Sequence, residues 1–152
     1  MNQYTKSKSG FTIIEVVLVL AIAGLIFLIV FLAVPALQRS QRDTQRKQDL
    51  SRLVAAVQSY QSNNRGAIPV TTTAPVTGFV SSYLTKDSAF DDPSGGTYTL
   101  DPAATTPTTV STPTDGSIVY VIGKDCSNGD VGSKKVAFVV GLEGGGVACQ
   151  TN

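Results

Sequence analysis

From Val16 to Leu37 the chain carries no charge and almost no polar side chain. Wound as a helix, that stretch is about 33 Å long, just over the roughly 30 Å hydrocarbon core of a bilayer. A one-domain protein rarely hides so long a helix on all its faces. The run therefore reads as a membrane span, placed over residues 11–37. Gln38 to Asp49 (QRSQRDTQRKQD) then has no large apolar residue and neither Gly nor Pro. It predicts a helix polar all round, bridging through solvent or lying among other polar helices. Asp43 with Lys47 and Asp49 with Arg52 are favourably spaced charge pairs. From Leu50 the pattern changes again. Leu50, Leu53, Val54, Val57 and Tyr60 form an i, i+3, i+4, i+7 stripe that should lie on a globular head. Asn63-Asn64-Arg65-Gly66, followed by Pro69, supplies the stop. The pattern thus predicts a single helix over 11–65, with a stalk and head-packing half at 38–65.

Beyond Gly66 the composition turns to Thr, Val, Gly, Ser and Pro. Val70–Thr77 is too marked by proline for a central strand and reads as a crossing loop. Val80–Leu84 is a short mixed segment. Asp91-Asp92-Pro93-Ser94-Gly95-Gly96 is a turn signal leading to a strand at Thr97–Leu100. Residues 102–114, rich in Thr and Pro, read as a surface loop and a candidate for O-linked sugars. Ser117–Ile122 and Lys135–Val140 are the clearest strands. Residues 141–149 give a glycine-rich turn and a short last strand. The head, 66–152, is therefore expected to be α+β, with the long helical spine packed on a small antiparallel sheet.

Composition then narrows the chemistry. The 152 residues carry twelve Lys+Arg and eleven Asp+Glu, and only 15% are charged. There is no histidine, so a Ser-His-Asp or Cys-His nucleophile system and any imidazole metal site are excluded. Gly144-Gly145-Gly146 and Gly123-Lys124 lack the remainder of a phosphate loop and read as turns. Asp125, Asn128 and Asp130 bring three oxygens together for a calcium ion, but without EF-hand spacing, and read as an acidic turn. No carboxylate pair sits in an acid–base context. No cofactor, metal or catalytic residue is expected. The stalk holds Arg39, Arg42, Arg46, Lys47, Arg52 and Arg65 against Asp43 and Asp49. Without interleaved aromatics this cluster reads as a solvated or subunit-contacting face, and no direct nucleic-acid binding is predicted.

One residue in the apolar stretch is out of place. Glu15 follows Phe11-Thr12-Ile13-Ile14, and an ionised carboxylate in a membrane helix costs at least a few kcal/mol (~2.5–3.5 at the centre, less near an end). Either it snorkels at the interface, or a cation meets it in the working state. A basic leader containing Lys6 and Lys8 precedes it. The apolar run is longer than a signal-peptide core, and no small-residue cleavage site follows. The string Gly10-Phe11-Thr12-Ile13-Ile14-Glu15, opening a long apolar helix behind a short Lys-containing leader, resembles a type IV prepilin over about residues 6–37.

The resemblance implies a leader at 1–10, cut between Gly10 and Phe11 by a prepilin peptidase that then methylates the Phe11 amine. It implies that Glu15 neutralises the Phe11 amine of a neighbouring subunit, so that copies self-associate into a helical filament. The implied partners are that peptidase and the assembly machinery, including an inner platform protein and an assembly ATPase. The protein would sit in the cell membrane by one span with the head outside, and then in an extracellular pilus. The role would be structural, supporting adhesion, twitching motility or DNA uptake, and not enzymatic. The basic stalk conflicts with this orientation under the positive-inside rule. The junction, the leader lysines and the cysteine pair outweigh it.

Type IVa pilins often place a proline eight residues after the glycine equivalent to Gly24; here that position is Leu32 and the proline is Pro35. A kink or melted stretch between Gly24 and Pro35 is expected. Cys126 and Cys149 are the only cysteines. As residues they fit one disulfide or two buried thiols; the resemblance implies the bridge. Two alternatives remain: a pseudopilin of a type II secretion system, and a membrane-anchored extracellular ligand-binding domain.

Overall fold

The computed structural model describes residues 10–72, 74–85, 89–103 and 116–152. Lys6, Lys8 and most of the Thr/Pro stretch lie outside the described residues. One long helix, α1 (Ile13–Asn63), is followed by a single wide π-helical turn at Val80–Leu84 and four strands: β1 (Thr99–Pro102), β2 (Ser117–Ile122), β3 (Val136–Gly141) and β4 (Val147–Thr151). The chain divides into two compact units, one ending at Gln38 and the other running from Arg39 to Asn152.

In the first unit every residue from Phe11 to Leu37 is exposed except the half-buried Ala23. The segment is long and apolar enough to cross a membrane. Of the kink or melted stretch expected between Gly24 and Pro35, the melted stretch is absent, because every residue there is helical. Proline removes its own N–H from the ladder and crowds the carbonyl four residues earlier. The flanking residues keep theirs, so one missing bond does not unwind the run.

In the second unit the order along the sheet is β1-β2-β3-β4. β2, β3 and β4 are antiparallel neighbours, with Tyr120 opposite Phe138 and Val139 opposite Cys149. β1 runs parallel to β2, Thr99 beside Ser117, so the expected antiparallel sheet carries one parallel edge strand and is mixed. Residues 103–116 separate the two strands, and a parallel connection needs about a dozen residues or more. A sheet fed by so long a link is not confined to hairpins. β1 also sits two residues later than the turn signal suggested.

Alternation explains how both faces are used. Val136, Phe138 and Val140 of β3 join Ile118 and Tyr120 of β2 in one core with Leu50, Leu53 and Val57 of α1. Ala137 and Val139, between them, are fully buried as well but face the other way. Cys149 lies across from Val139 on that face and is bonded to Cys126, so the loop carrying Cys126 covers it. The core is extended by the Tyr60–Phe79 edge contact, with ring centres 5.7 Å apart, and by Phe90 against Tyr98 at 4.8 Å. Val70, expected on an exposed loop, is buried there too; its loop is closed by a bridge to Pro75.

α1 ends in a left-handed cap. Arg65 and Gly66 both have positive φ (53° and 79°), and the Gly66 N–H reaches back to the Gln61 carbonyl at 2.8 Å. The last residues are clasped to the same end. Asn152 Oδ1 accepts the Val136 N–H at 2.7 Å, and its Nδ2 donates to Gln61 Oε1 at 2.8 Å.

Leu53 is fully buried between helix and sheet. Leu53→Ala should destabilise the head by about 2–5 kcal/mol. Chemical denaturation of the detergent-solubilised chain, followed by a spectroscopic probe of the sheet, measures it.

Candidate functional site

The residues singled out by the sequence fall in two places. Gly10, Phe11 and Thr12 lie just before α1 and Glu15 is in its first turn; Cys126 and Cys149 are in the head.

At the first turn, Gly10 is exposed and a Cβ built on it would meet nothing within 4 Å. Phe11 is 90% exposed. Helical geometry begins at Ile13, two residues later than expected, because Thr12 is the N-cap. The Thr12 N–H and hydroxyl both donate to Glu15 Oε2, at 2.8 and 2.7 Å, and the Glu15 N–H approaches Thr12 Oγ1 at 3.4 Å. This is a reciprocal capping box, which satisfies donors that the first turn otherwise leaves open. A carboxylate there also lies at the positive end of the helix dipole. The Thr-x-x-Glu spacing was the available signal for it, and it gives Glu15 a local role beside any intersubunit one. Both Thr12 bonds fall on Oε2, and Oε1 takes neither.

In the head, Cys126 and Cys149 are joined by a disulfide, their Cα atoms 5.8 Å apart. Asp125 turns its carboxylate inward: Oδ1 accepts the N–H groups of Ser127 and Gly129 at 2.9 and 2.7 Å. Asp130 pairs with Lys124 at 2.7 Å. These oxygens serve the turn itself. Among the described residues no group of three or more His, Cys, Asp or Glu is arranged to hold a metal ion.

The largest departure from the sequence reading is in the stalk. Gln38–Asp49, expected to bridge through solvent or to lie among other polar helices, instead packs on the head: Arg46 is 1% exposed and Asp49 is buried. Arg46 Nε and Nη2 donate to the two oxygens of Asp92 at 2.8 and 2.9 Å, and Nη2 also reaches Ser94 Oγ at 3.2 Å. Asp92 sits in the tight turn predicted at 91–96, where the Ser94 N–H (2.8 Å) and hydroxyl also donate to Oδ1. Nearby, Arg42 makes a two-bond contact with Glu143 at 2.7 and 2.6 Å. Asp43 accepts the N–H groups of Glu143 and Gly144 at 2.7 and 2.9 Å. A Cβ on Gly144 would stand 2.9 Å from Asp43 Oδ2, so a larger residue there would have to displace the Asp43 carboxylate. Tyr98 donates to Asp49 at 3.2 Å, and Asp49 also pairs with Arg52 at 3.1 Å. Charged groups of the helix, answered by opposite charges or by N–H and O–H donors, thus tie it to the head.

The ionisations follow. Burial pushes the Asp92 carboxyl up, but the bonds from Arg46 and Ser94 outweigh it and hold it below the ordinary value. The Arg42 hydrogen bond likewise lowers Glu143, and burial with the Asp49 charge raises the Tyr98 hydroxyl so that it remains a donor.

Residues 5–31 match the family model described as the prokaryotic N-terminal methylation motif. No curated protein and no solved structure matches significantly. The chain carries a prepilin-type N-terminal methylation motif, which agrees with assignment to the type IV pilins or pseudopilins. With the apolar helix, it supports membrane association before assembly and a structural role.

Two outcomes follow from the ion network. Arg46→Ala should cost about 3–5 kcal/mol by stranding Asp92, whereas Arg46→Met combined with Asp92→Leu should cost far less; paired denaturation curves compare them. Asp92 and Glu143 both have folded pKa values below their ordinary 3.8 and 4.5. Their contribution is therefore complete above those ordinary values and is lost as pH falls through the lower folded ones. Acid titration of stability should show that loss, and it should vanish at the Asp92 step in the double variant.

Proposed function

We propose that the chain is the structural subunit of a type IV pilus. It is inserted with the head outside, cut between Gly10 and Phe11 by a prepilin peptidase, methylated on the Phe11 amine, and polymerised through its N-terminal helix. The observation that carries this reading is the match of residues 5–31 to the methylation motif, centred on Gly10-Phe11-Thr12-Ile13-Ile14-Glu15.

The chemistry is coherent with these residues. Glycine at the scissile position lets an extended backbone lie close to a peptidase, because it has no Cβ. Cleavage leaves a cationic amine on Phe11 and an anion on Glu15, about one helical turn apart, in an otherwise apolar segment. A charge left alone in lipid is expensive, so pairing the amine of one subunit with Glu15 of the next favours the filament over separate subunits. The capping box supports this role, since Thr12 holds the carboxylate at the helix start while Oε1 takes neither Thr12 bond. Assembly in this reading engages an inner platform protein and an assembly ATPase, and the filament serves adhesion, surface motility or DNA uptake.

The second reading is a pseudopilin of a type II secretion system. The Cys126–Cys149 disulfide favours the pilin, because pseudopilin heads often lack a terminal bridge and typically carry calcium.

Gly10→Val should leave the leader attached, and Glu15→Ala should remove the anion. Both should abolish surface filaments while the protein remains in the membrane fraction. Electron microscopy of sheared filaments and N-terminal mass analysis read the result, with N-methyl-Phe11 expected in the unmodified filament. Normal filaments from either variant overturn the reading.

A further inference from the structure

Asn128-Gly129 is the only Asn-Gly dipeptide in the chain. In an unrestrained chain this is the pair at which an asparagine amide is most readily lost. The nitrogen that follows attacks the side-chain carbonyl, and glycine hinders that approach least because it has no Cβ. The turn nevertheless selects both residues. Asn128 has φ 66°, in the left-handed region that asparagine tolerates better than most residues. A Cβ on Gly129 would stand 2.9 Å from Asp125 Oδ2, so a side chain there would have to displace the carboxylate. A reactive pair is thus built into the turn by its geometry.

The same carboxylate holds the attacking atom. Asp125 Oδ1 accepts the Gly129 N–H at 2.7 Å and the Ser127 N–H at 2.9 Å. The Gly129 nitrogen must give up that proton in order to attack, and a negative charge bonded to the N–H opposes its loss. Main-chain bonds close the turn around it. The Asp125 N–H donates to the Gly129 carbonyl at 3.0 Å, and the Asn128 N–H to the Asp125 carbonyl at 3.1 Å. Asn128 Oδ1 is shielded from solvent. The Lys124–Asp130 pair, at 2.7 Å, flanks the segment on both sides, and Cys126 within it is anchored to Cys149. The nitrogen is freed only when the turn opens.

We propose that Asn128 is a deamidation site and that Asp125 is the positioning residue that restrains it. In the reaction the Gly129 nitrogen bonds to Asn128 Cγ, the Cγ–Nδ2 bond breaks, and the Gly129 proton leaves with the amide as ammonia. Water then adds to the succinimide ring and opens it at either carbonyl, leaving aspartate or isoaspartate at position 128. Ring closure removes the N–H that Asp125 holds, and the product places a new carboxylate between Asp125 and Asp130. Like charges there disfavour closing the turn again. The chemistry needs only water, and it stands whether or not the helix builds a filament.

The test follows the full chain in detergent micelles in mildly alkaline buffer. Timed samples are reduced and cut with trypsin, and the peptide 125–134 is weighed and fragmented to detect acid or isoaspartate at 128. The reduced, urea-unfolded chain should convert at Asn128 before its other asparagines, and the native chain at least about tenfold more slowly. Asp125→Ala should speed the native reaction at least about tenfold, the worth of one hydrogen bond to a charged group, with the Cys126–Cys149 bond intact. Asp125→Asn keeps an oxygen acceptor without the charge, and its rate should fall between the two. Should the alanine variant fail to form the disulfide, the asparagine variant decides. Native conversion as fast as that of the unfolded chain, earlier loss at another asparagine, or an unchanged rate in the deciding variant overturns the proposal.

Discussion

The head of this protein is organised around one buried ion pair. Arg46 and Asp92 are both removed from water, and neither is tolerable there without the other. Their two-bond contact is directional, so it sets the rotation of the helix against the head as well as holding it. Around the pair, Arg42 with Glu143, Asp43 with the β3–β4 turn, and Asp49 with Tyr98 repeat the same logic on the next turns of the helix. The apolar core begins where this polar collar ends, at Leu50.

The collar also accounts for a charge asymmetry visible in the sequence. Six bases and two acids lie between Arg39 and Arg65, while four bases and eight acids follow Gly66. Arg42 and Arg46 each take an acid from the head. Part of the basic excess of the helix is thus the complement of the acidic excess of the head.

Most of the fold was legible because it rests on periodicity. The apolar run, the stripe from Leu50 to Tyr60, the strand at Ser117–Ile122 and the turn at 91–96 all announce themselves locally. Arg46 did not, because a charged residue reads as exposed until its partner is known, and Asp92 is 46 positions away. A signal was present: Arg46, Leu50, Leu53 and Val57 continue one helical face at steps of four, three and four. The parallel sense of β1 was hidden for a related reason. Strand pattern carries no direction, and only the long 103–116 connection hinted at it. At the first turn, Glu15 stands out as a charge in an apolar segment, and its spacing of three from Thr12 is the local mark of the capping box.

The disulfide between Cys126 and Cys149 spans 23 positions and encloses β3 with part of β4. Under tension an unbridged segment of that size extends by roughly 3.3–3.6 Å per residue, so about 80 Å of contour length stays locked behind one covalent bond. A head pulled from its ends can lengthen only outside that loop. The bridge therefore sets a ceiling on extension under load, independent of how firmly the sheet itself is hydrogen-bonded.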